Sequence, residues 1–289
     1  MLKSILLIWA LAVEPEAVAA VYAHELDYVL GESGVVAPAL AHALKRPELA
    51  GRRYQTVYPP TGPQVGIRWV EGGAPAHRPM RRVGWSAIEL LVADPDSLVD
   101  QLTAAGFEHL HGPAYLTDQN NIRAAQLIGP AHELLYVTHI EDPSRSLLQV
   151  ARPSSPVGHP FIMVAGSRNL EATQAFFERY FANTLTNRIP FRIDVLSDAY
   201  DLPGATLHEL ALVKFAEPFG LEFDQYPAQA KAQPLPLEER GGIILVTVSA
   251  EPGPKTGELP WAVSYDDDGE PRGGIVILPY GTPLEVRFE

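Results

Sequence analysis

Glu89 stands inside the apolar run Ile88-Glu89-Leu90-Leu91-Val92, on the strand face it shares with Ala87. If that face borders a cleft, the carboxyl loses water, titrates above its usual range and can serve as a general base. The competing reading is a solvated residue on the outer face of a sheet. Gln126, amid Ala124, Ala125 and Leu127, is a second polar intruder, able to donate and accept toward a substrate. His208-Glu209 fall on an expected central strand, where pleating sends them to opposite faces. His208 is the candidate proton carrier, because imidazole titrates near neutrality, set against a satisfied structural histidine. His109-Leu110-His111 puts two imidazoles on one strand face. With no carboxylate nearby, a solvated edge describes them better than a metal pair. Asp266-Asp267-Asp268-Gly269 lacks the spacing and the downstream Glu of a calcium loop and reads as a hairpin turn.

Composition narrows the field. The chain of 289 residues is 46% hydrophobic, enough for two domains with cores of their own. A net charge of -13 argues against a nucleic-acid partner, which needs a basic face. Cysteine is absent, which removes disulfides, thiolate nucleophiles and sulfur metal sites, and fits a reducing, cytoplasmic setting. Met1-Leu2-Lys3 before Ser4–Val13 has the form of a signal peptide, but Glu14-Pro15-Glu16 follows at once. The run is too short to cross a membrane, so a buried first strand is the better reading. No phosphate loop, nucleophile elbow or dinucleotide fingerprint occurs.

The elements that must position these residues repeat. From Gly84 to Ile140 an apolar strand leads to Asp94, a helix N-cap, with Pro95 at the first helical position. Leu98, Leu102 and Ala105 then share one helical face, and Phe107–Leu110, Ile122–Ile128 and Glu133–Ile140 supply three more strands. The same β-α-β-β-β order is expected at about 4–73, 83–140, 159–226 and 241–289. The first unit carries an Ala-rich helical insertion between Val35 and Leu49, and its helix is expected to end at Leu30-Gly31. In the third, Phe191–Leu196, Leu207–Phe215 and Leu221–Tyr226 read as strands. In the fourth, Pro252, Gly253, Pro254 and Gly257 leave no room for a helix. Linkers are expected at Gly72–Arg82, Asp142–Gly158 and Pro227–Glu239. The fold class is α+β: four βαβββ modules, each too small alone, paired into strongly curved mixed sheets around clefts. The expected domains are 1–141 and 159–289, each of two consecutive modules.

Three strand-to-helix openings carry a resemblance. They are Ala10-Leu11-Ala12-Val13-Glu14, Leu90-Leu91-Val92-Ala93-Asp94-Pro95-Asp96, and Ile162-Met163-Val164 with Asn169-Leu170-Glu171. Together with the closing Tyr280-Gly281-Thr282-Pro283-Leu284-Glu285-Val286, they resemble the vicinal oxygen chelate superfamily of glyoxalases, bleomycin-resistance proteins and extradiol dioxygenases.

The resemblance implies a divalent metal held at the start of each first strand and in each fourth strand. Its first-strand positions fall on Ile8, Ala87, His159 and about Ile243. Its fourth-strand positions fall on Arg68 or Trp69, Tyr136, Glu222 and Glu285. His159, Glu222 and Glu285 are thus the implied ligands for iron, manganese or zinc, and no cofactor at all is the alternative. His159 as a mere strand terminus and Glu285 as a solvated residue are the competing readings. Tyr136, in a ligand position, would hydrogen-bond an oxyanion or simply pack. Trp85, Gln126, Trp261 and Tyr265 are expected around the substrate, with Glu89, His208 and Tyr136 as the catalytic set. The implied activity is that of a lyase or isomerase, less so a ring-cleaving dioxygenase, on an oxygenated or aromatic small molecule. The alternative is a metal-free binding or sequestering protein. No membrane partner is expected, and a homodimer fits the exposed strands and the family habit.

Overall fold

The structure is a computed structural model and describes residues 1–73, 78–117, 119–183, 186, 188–230, 241–253, 255–267 and 270–289. The first module runs β1 (Leu2–Ala12), α1 (Pro15–Glu25), β2 (Val29–Val35), α2 (Pro38–Ala43), β3 (Arg53–Tyr58) and β4 (Gly66–Glu71). The second runs β5 (Gly84–Val92), α3 (Pro95–Ala104), β6 (Glu108–Tyr115), β7 (Ile122–Ile128) and β8 (Leu134–Ile140). The third comprises β9 (Val157–Ser167), α4 (Leu170–Phe181), β10 (Ile189–Arg192), α5 (Asp194–Ala199), β11 (Leu207–Lys214) and β12 (Gly220–Gln225). The fourth comprises β13 (Gly242–Ala250), β14 (Trp261–Asp267), β15 (Glu270–Leu278) and β16 (Thr282–Phe288).

Local chemistry accounts for the helix starts. Asp94 takes hydrogen bonds from the Asp96 and Ser97 amides, Asn169 caps α4 through the Ala172 amide, and Pro15 and Pro95 open their helices. Two expectations fail locally. Val29–Val35 is a strand beyond the end of α1, because Val29, Leu30 and Val35 pair with β3 at the sheet edge. Phe191–Leu196 divides into the end of β10 and the start of α5, which Asp194 opens as its first residue. The turn at Asp268-Gly269 and the linker residues 231–239 lie outside the described residues.

The larger correction concerns pairing. One eight-stranded sheet has the order β14-β15-β16-β13-β1-β4-β3-β2, and the other β10-β11-β12-β9-β5-β8-β7-β6. The first module therefore joins the fourth, and the second joins the third, where consecutive modules were expected to pair. All four first strands are apolar and offer the same edge, so local pattern does not select the partner. The pairing is made in two antiparallel seams, Ile8 opposite Val246 and Ile88 opposite Met163. The Ser4 and Ser249 hydroxyls meet across the first seam at 2.9 Å.

Alternation along β1 divides the interior. Ile8, Ala10 and Ala12 enter an apolar core continuous through both sheets, while Leu7, Trp9 and Leu11 enter a second cluster. In that second cluster the insertion supplies Val36, Ala41, Leu44 and Leu49, which pack over the face of the first sheet. The two sheets are joined by hydrogen bonds from Trp85 Nε1 to the Pro283 carbonyl (2.7 Å) and from Tyr28 Oη to the Gly158 carbonyl (3.0 Å). Among the described residues, no helix is long and apolar enough to cross a membrane.

Candidate functional site

The insertion decides which sheet keeps an open face. In the first sheet, Trp9 is paired with Arg68, just as Glu89 is paired with Tyr136 in the second. Arg68 lies over the rings of Trp9 (4.5 Å) and Tyr54 (4.1 Å) and bonds Glu32, and the insertion packs against Trp9. Glu285 accepts from Thr247 Oγ1 at 2.6 Å and from Arg287 at 3.3 Å. That floor is occupied by the protein's own side chains.

The second sheet instead encloses a cavity of about 320 Å³. Its walls are chiefly apolar, among them Ile122, Leu148, Phe161, Ile162 and Leu212. Gly112 lies in the wall with φ +82°, and a Cβ there would meet the Ala124 carbonyl oxygen at 2.5 Å, so the close approach of β6 to β7 requires glycine.

Glu89, Gln126, Tyr136 and Thr138 line this cavity from strands of the second module, and Glu222 from the third. Glu89 on β5 is buried and accepts from Thr138 Oγ1 on β8 at 2.7 Å. Burial, then the charge of Glu222, raises the Glu89 carboxyl from its usual 4.5 to about 8, against the lowering effect of Thr138. Tyr136 is buried and its hydroxyl has no hydrogen-bond partner, as is true of Gln126 Oε1. Burial also pushes the Tyr136 phenol far up, with the charges of Asp224 and Glu222 adding to it. From the third module comes Glu222 on β12, raised well above the carboxylate range by burial and then by Asp224.

Asp224, two residues further along the same strand face, is fully buried and outside the lining. Neither of its carboxylate oxygens meets an N–H or O–H donor. The Glu222 carboxyl can bond it only while one of the pair keeps a proton. Burial lifts Asp224 to about 7, the Glu89 charge adding and the bond to Glu222 opposing. At the mouth, Arg192 donates to Asp194 at 2.6 Å and His111 pairs with Asp198 at 2.8 Å.

Of the residues singled out in the sequence, the cavity gathers Glu89, Tyr136, Gln126 and Glu222. His208 is not in its lining. It lies next to the edge strand rather than centrally, and its ring Nε2 meets Ser197 Oγ of α5 at 2.9 Å. Alternation puts His208 on the face of Leu210 and Leu212, but α5 covers it, and burial lowers its pKa. Trp85 serves the seam between sheets, while Trp261 packs edge-on against Phe288 and Tyr265 faces Glu285, both in the first sheet. His109 bonds the Gly112 carbonyl at 2.9 Å. Thr138 and Asp224 were not singled out in the sequence, although Glu222-Phe223-Asp224 places two carboxyls on one face of an apolar strand.

The implied metal set does not assemble. His159 is buried against the Phe219 ring (5.5 Å between centroids), and a Cβ on Gly62 would lie 3.1 Å from its Nδ1. Burial lowers the imidazole to about 4, and its Nε2 has no partner. Glu222 belongs to the second sheet and Glu285 to the first. Among the described residues, no group of three or more His, Cys, Asp or Glu side chains could hold a metal ion. The buried donors at the cavity are carboxyls, a phenol, an amide and a hydroxyl, while the one imidazole of its described lining, His111, is paired with Asp198, so they do not fit the ligand set that the resemblance implies.

No family model matches the chain, and no curated protein matches it by sequence. Solved structures do match over almost its whole length. Glyoxalase I from Zea mays is 11% identical with a TM-score of 0.63, over 99% of this chain and 92% of that one. A putative dioxygenase from Bacillus subtilis is 10% identical with a TM-score of 0.60, over 99% of this chain and 85% of that one. The chain has the fold of these structures, glyoxalase-like, with two eight-stranded sheets.

Proposed function

We propose that the protein is an enzyme of the vicinal oxygen chelate type, a lyase or isomerase that works by acid–base chemistry in the cavity of the second sheet. The observation that carries this reading is Glu89, a carboxyl at the cavity floor whose pKa of about 8 lies near neutrality, where general acid–base groups are most effective. The substrate is a small, largely apolar molecule bearing a carbonyl. The Glu89 carboxylate takes a proton from the carbon beside that carbonyl, and the electron pair moves onto the carbonyl oxygen. Tyr136 Oη, which has no partner of its own, donates a hydrogen bond to that oxygen. Where a double bond is conjugated with the enolate, return of the electron pair from the oxygen and of the proton to its far carbon completes an isomerisation, while loss of a β-substituent with its bonding pair completes an elimination. Gln126 orients the oxygen-bearing end.

The experiment is deuterium exchange. Incubation with apolar ketones in heavy water should place deuterium at the carbon beside the carbonyl, and Glu89→Gln should abolish it while Tyr136→Phe slows it. A second reading, sequestration without turnover, is favoured by the apolar walls and by Leu116, Leu147 and Ile189, which line the mouth and remain exposed. It predicts binding that Glu89→Gln leaves intact, with no exchange.

A further inference from the structure

All the formal charge at the floor of the cavity has one sign. Glu89 and Glu222 line it, and Asp224, buried outside the lining, follows Glu222 two residues along the same strand face. The charges that act on these three carboxyls are one another's, with no lysine or arginine among them. Among the described lining residues the basic groups sit at the mouth and are engaged there, Arg192 by Asp194 and His111 by Asp198. A second feature belongs to the same cavity: Tyr136 lines it, is only 9% exposed, and its buried hydroxyl has no partner.

Buried carboxyls normally come paired with a cation, because an unpaired charge in apolar surroundings is costly. Three together without one keep protons instead, and a cation that entered the cavity would let them ionise. The cavity is too apolar to seat a hydrated ion comfortably, and its walls suit a hydrocarbon body.

We propose that the ligand of this cavity is a lipophilic amine, its ammonium seated against Glu222 and Glu89, with Asp224 next along the strand from Glu222, and its apolar body along Phe161 and Leu148. This rests on the reading of the cavity as a small-molecule site and narrows it to one class. The phenol ring of Tyr136 adds a face and an acceptor oxygen for the same ammonium. The ammonium would also oppose the repulsion between Glu222 and Glu89, leaving Glu89 readier to act as a base.

The test is titration calorimetry of the full chain with three probes of one shape and different head charge: 4-phenylbutylamine, 4-phenylbutanol and 4-phenylbutyrate. The amine is expected to bind about ten- to a hundredfold more tightly than the alcohol, the range of a hydrogen-bonded charge pair, and the carboxylate most weakly. Glu222→Gln should reduce the amine's advantage and leave the alcohol unchanged. If that variant fails to fold, the probe series on the unaltered protein still decides. Equal binding of amine and alcohol, or tighter binding of the carboxylate, overturns the cationic ligand while leaving the cavity a small-molecule site. Failure of all three to bind overturns both. Saturable binding of Mn(II) alone that displaces the amine overturns the proposal in favour of an inorganic cation.

Discussion

Thr138 Oγ1 donates to Glu89 Oε1 at 2.7 Å, across the parallel pair formed by β8 and β5. This is the hydrogen bond that favours the ionised form of Glu89, in opposition to its burial and to Glu222. Thr138→Val removes the donor and keeps the shape. The Glu89 carboxyl should then titrate above about 8, and the activity should move its rising limb to higher pH by the same amount. Carbon-13 NMR titration of labelled Glu89 checks the first statement and the pH–rate profile the second.

Stability should fall as pH rises from acid to neutral. Glu89, raised from 4.5 to about 8, and Glu133, raised from 4.5 to about 7, bind protons more tightly in the folded chain than in the unfolded one. Folding therefore takes up protons, and the stability from each group is complete below the unfolded value and lost as pH climbs to the folded value. The window for Glu89 is from about 4.5 to 8. Glu89→Gln should flatten the decline by up to about 1.4 kcal/mol per pH unit. Melting temperature against pH for both proteins measures it, and parallel curves would count against a buried, protonated Glu89.

His159 acts in the opposite direction. Its folded pKa of about 4 lies below its usual 6.5, so it contributes stability that is present above 6.5 and lost as pH falls toward 4. His159→Phe, which keeps an aromatic ring against Phe219, should hold its melting temperature across that acid range, where the parent protein loses it. Because His159 is outside the cavity lining, amine binding should not change.

The filled face of the first sheet should matter for stability alone. Trp9 is 5% exposed and packs under the insertion with Arg68 stacked on it. Trp9→Ala should cost about 3–5 kcal/mol, as truncation of a large buried ring does. Denaturant unfolding reads that loss. Ligand affinity at the second sheet, measured well below the melting point, should stay within twofold. A large change in affinity would mean that the two faces are coupled.

Much was legible in the residues one by one. Strands show as apolar runs with a period of two, and Asp94-Pro95 and Asn169 mark helix starts by chemistry confined to a few neighbours. That is why the repeated unit, the α+β class, the insertion between Val35 and Leu49 and the inward face of Glu89 could be read from the chain. Val29–Val35 and the start of α5 escaped, because an edge strand of mixed residues and a one-and-a-half-turn helix carry little periodic signal.

The sequence by itself determined the modules and the polar residues each brings. Only the tertiary structure decided which modules share a sheet, and with it which of those residues meet. His159, Glu222 and Glu285 are close in expectation when the third and fourth modules pair, and apart when they do not. Glu89 and Glu222 come together only because the β5–β9 seam joins the second module to the third. Strand edges all offer the same amides and carbonyls, so the choice between seams rests on long-range packing over whole faces. The same packing closed one cleft with the insertion and left the other open around its carboxyls.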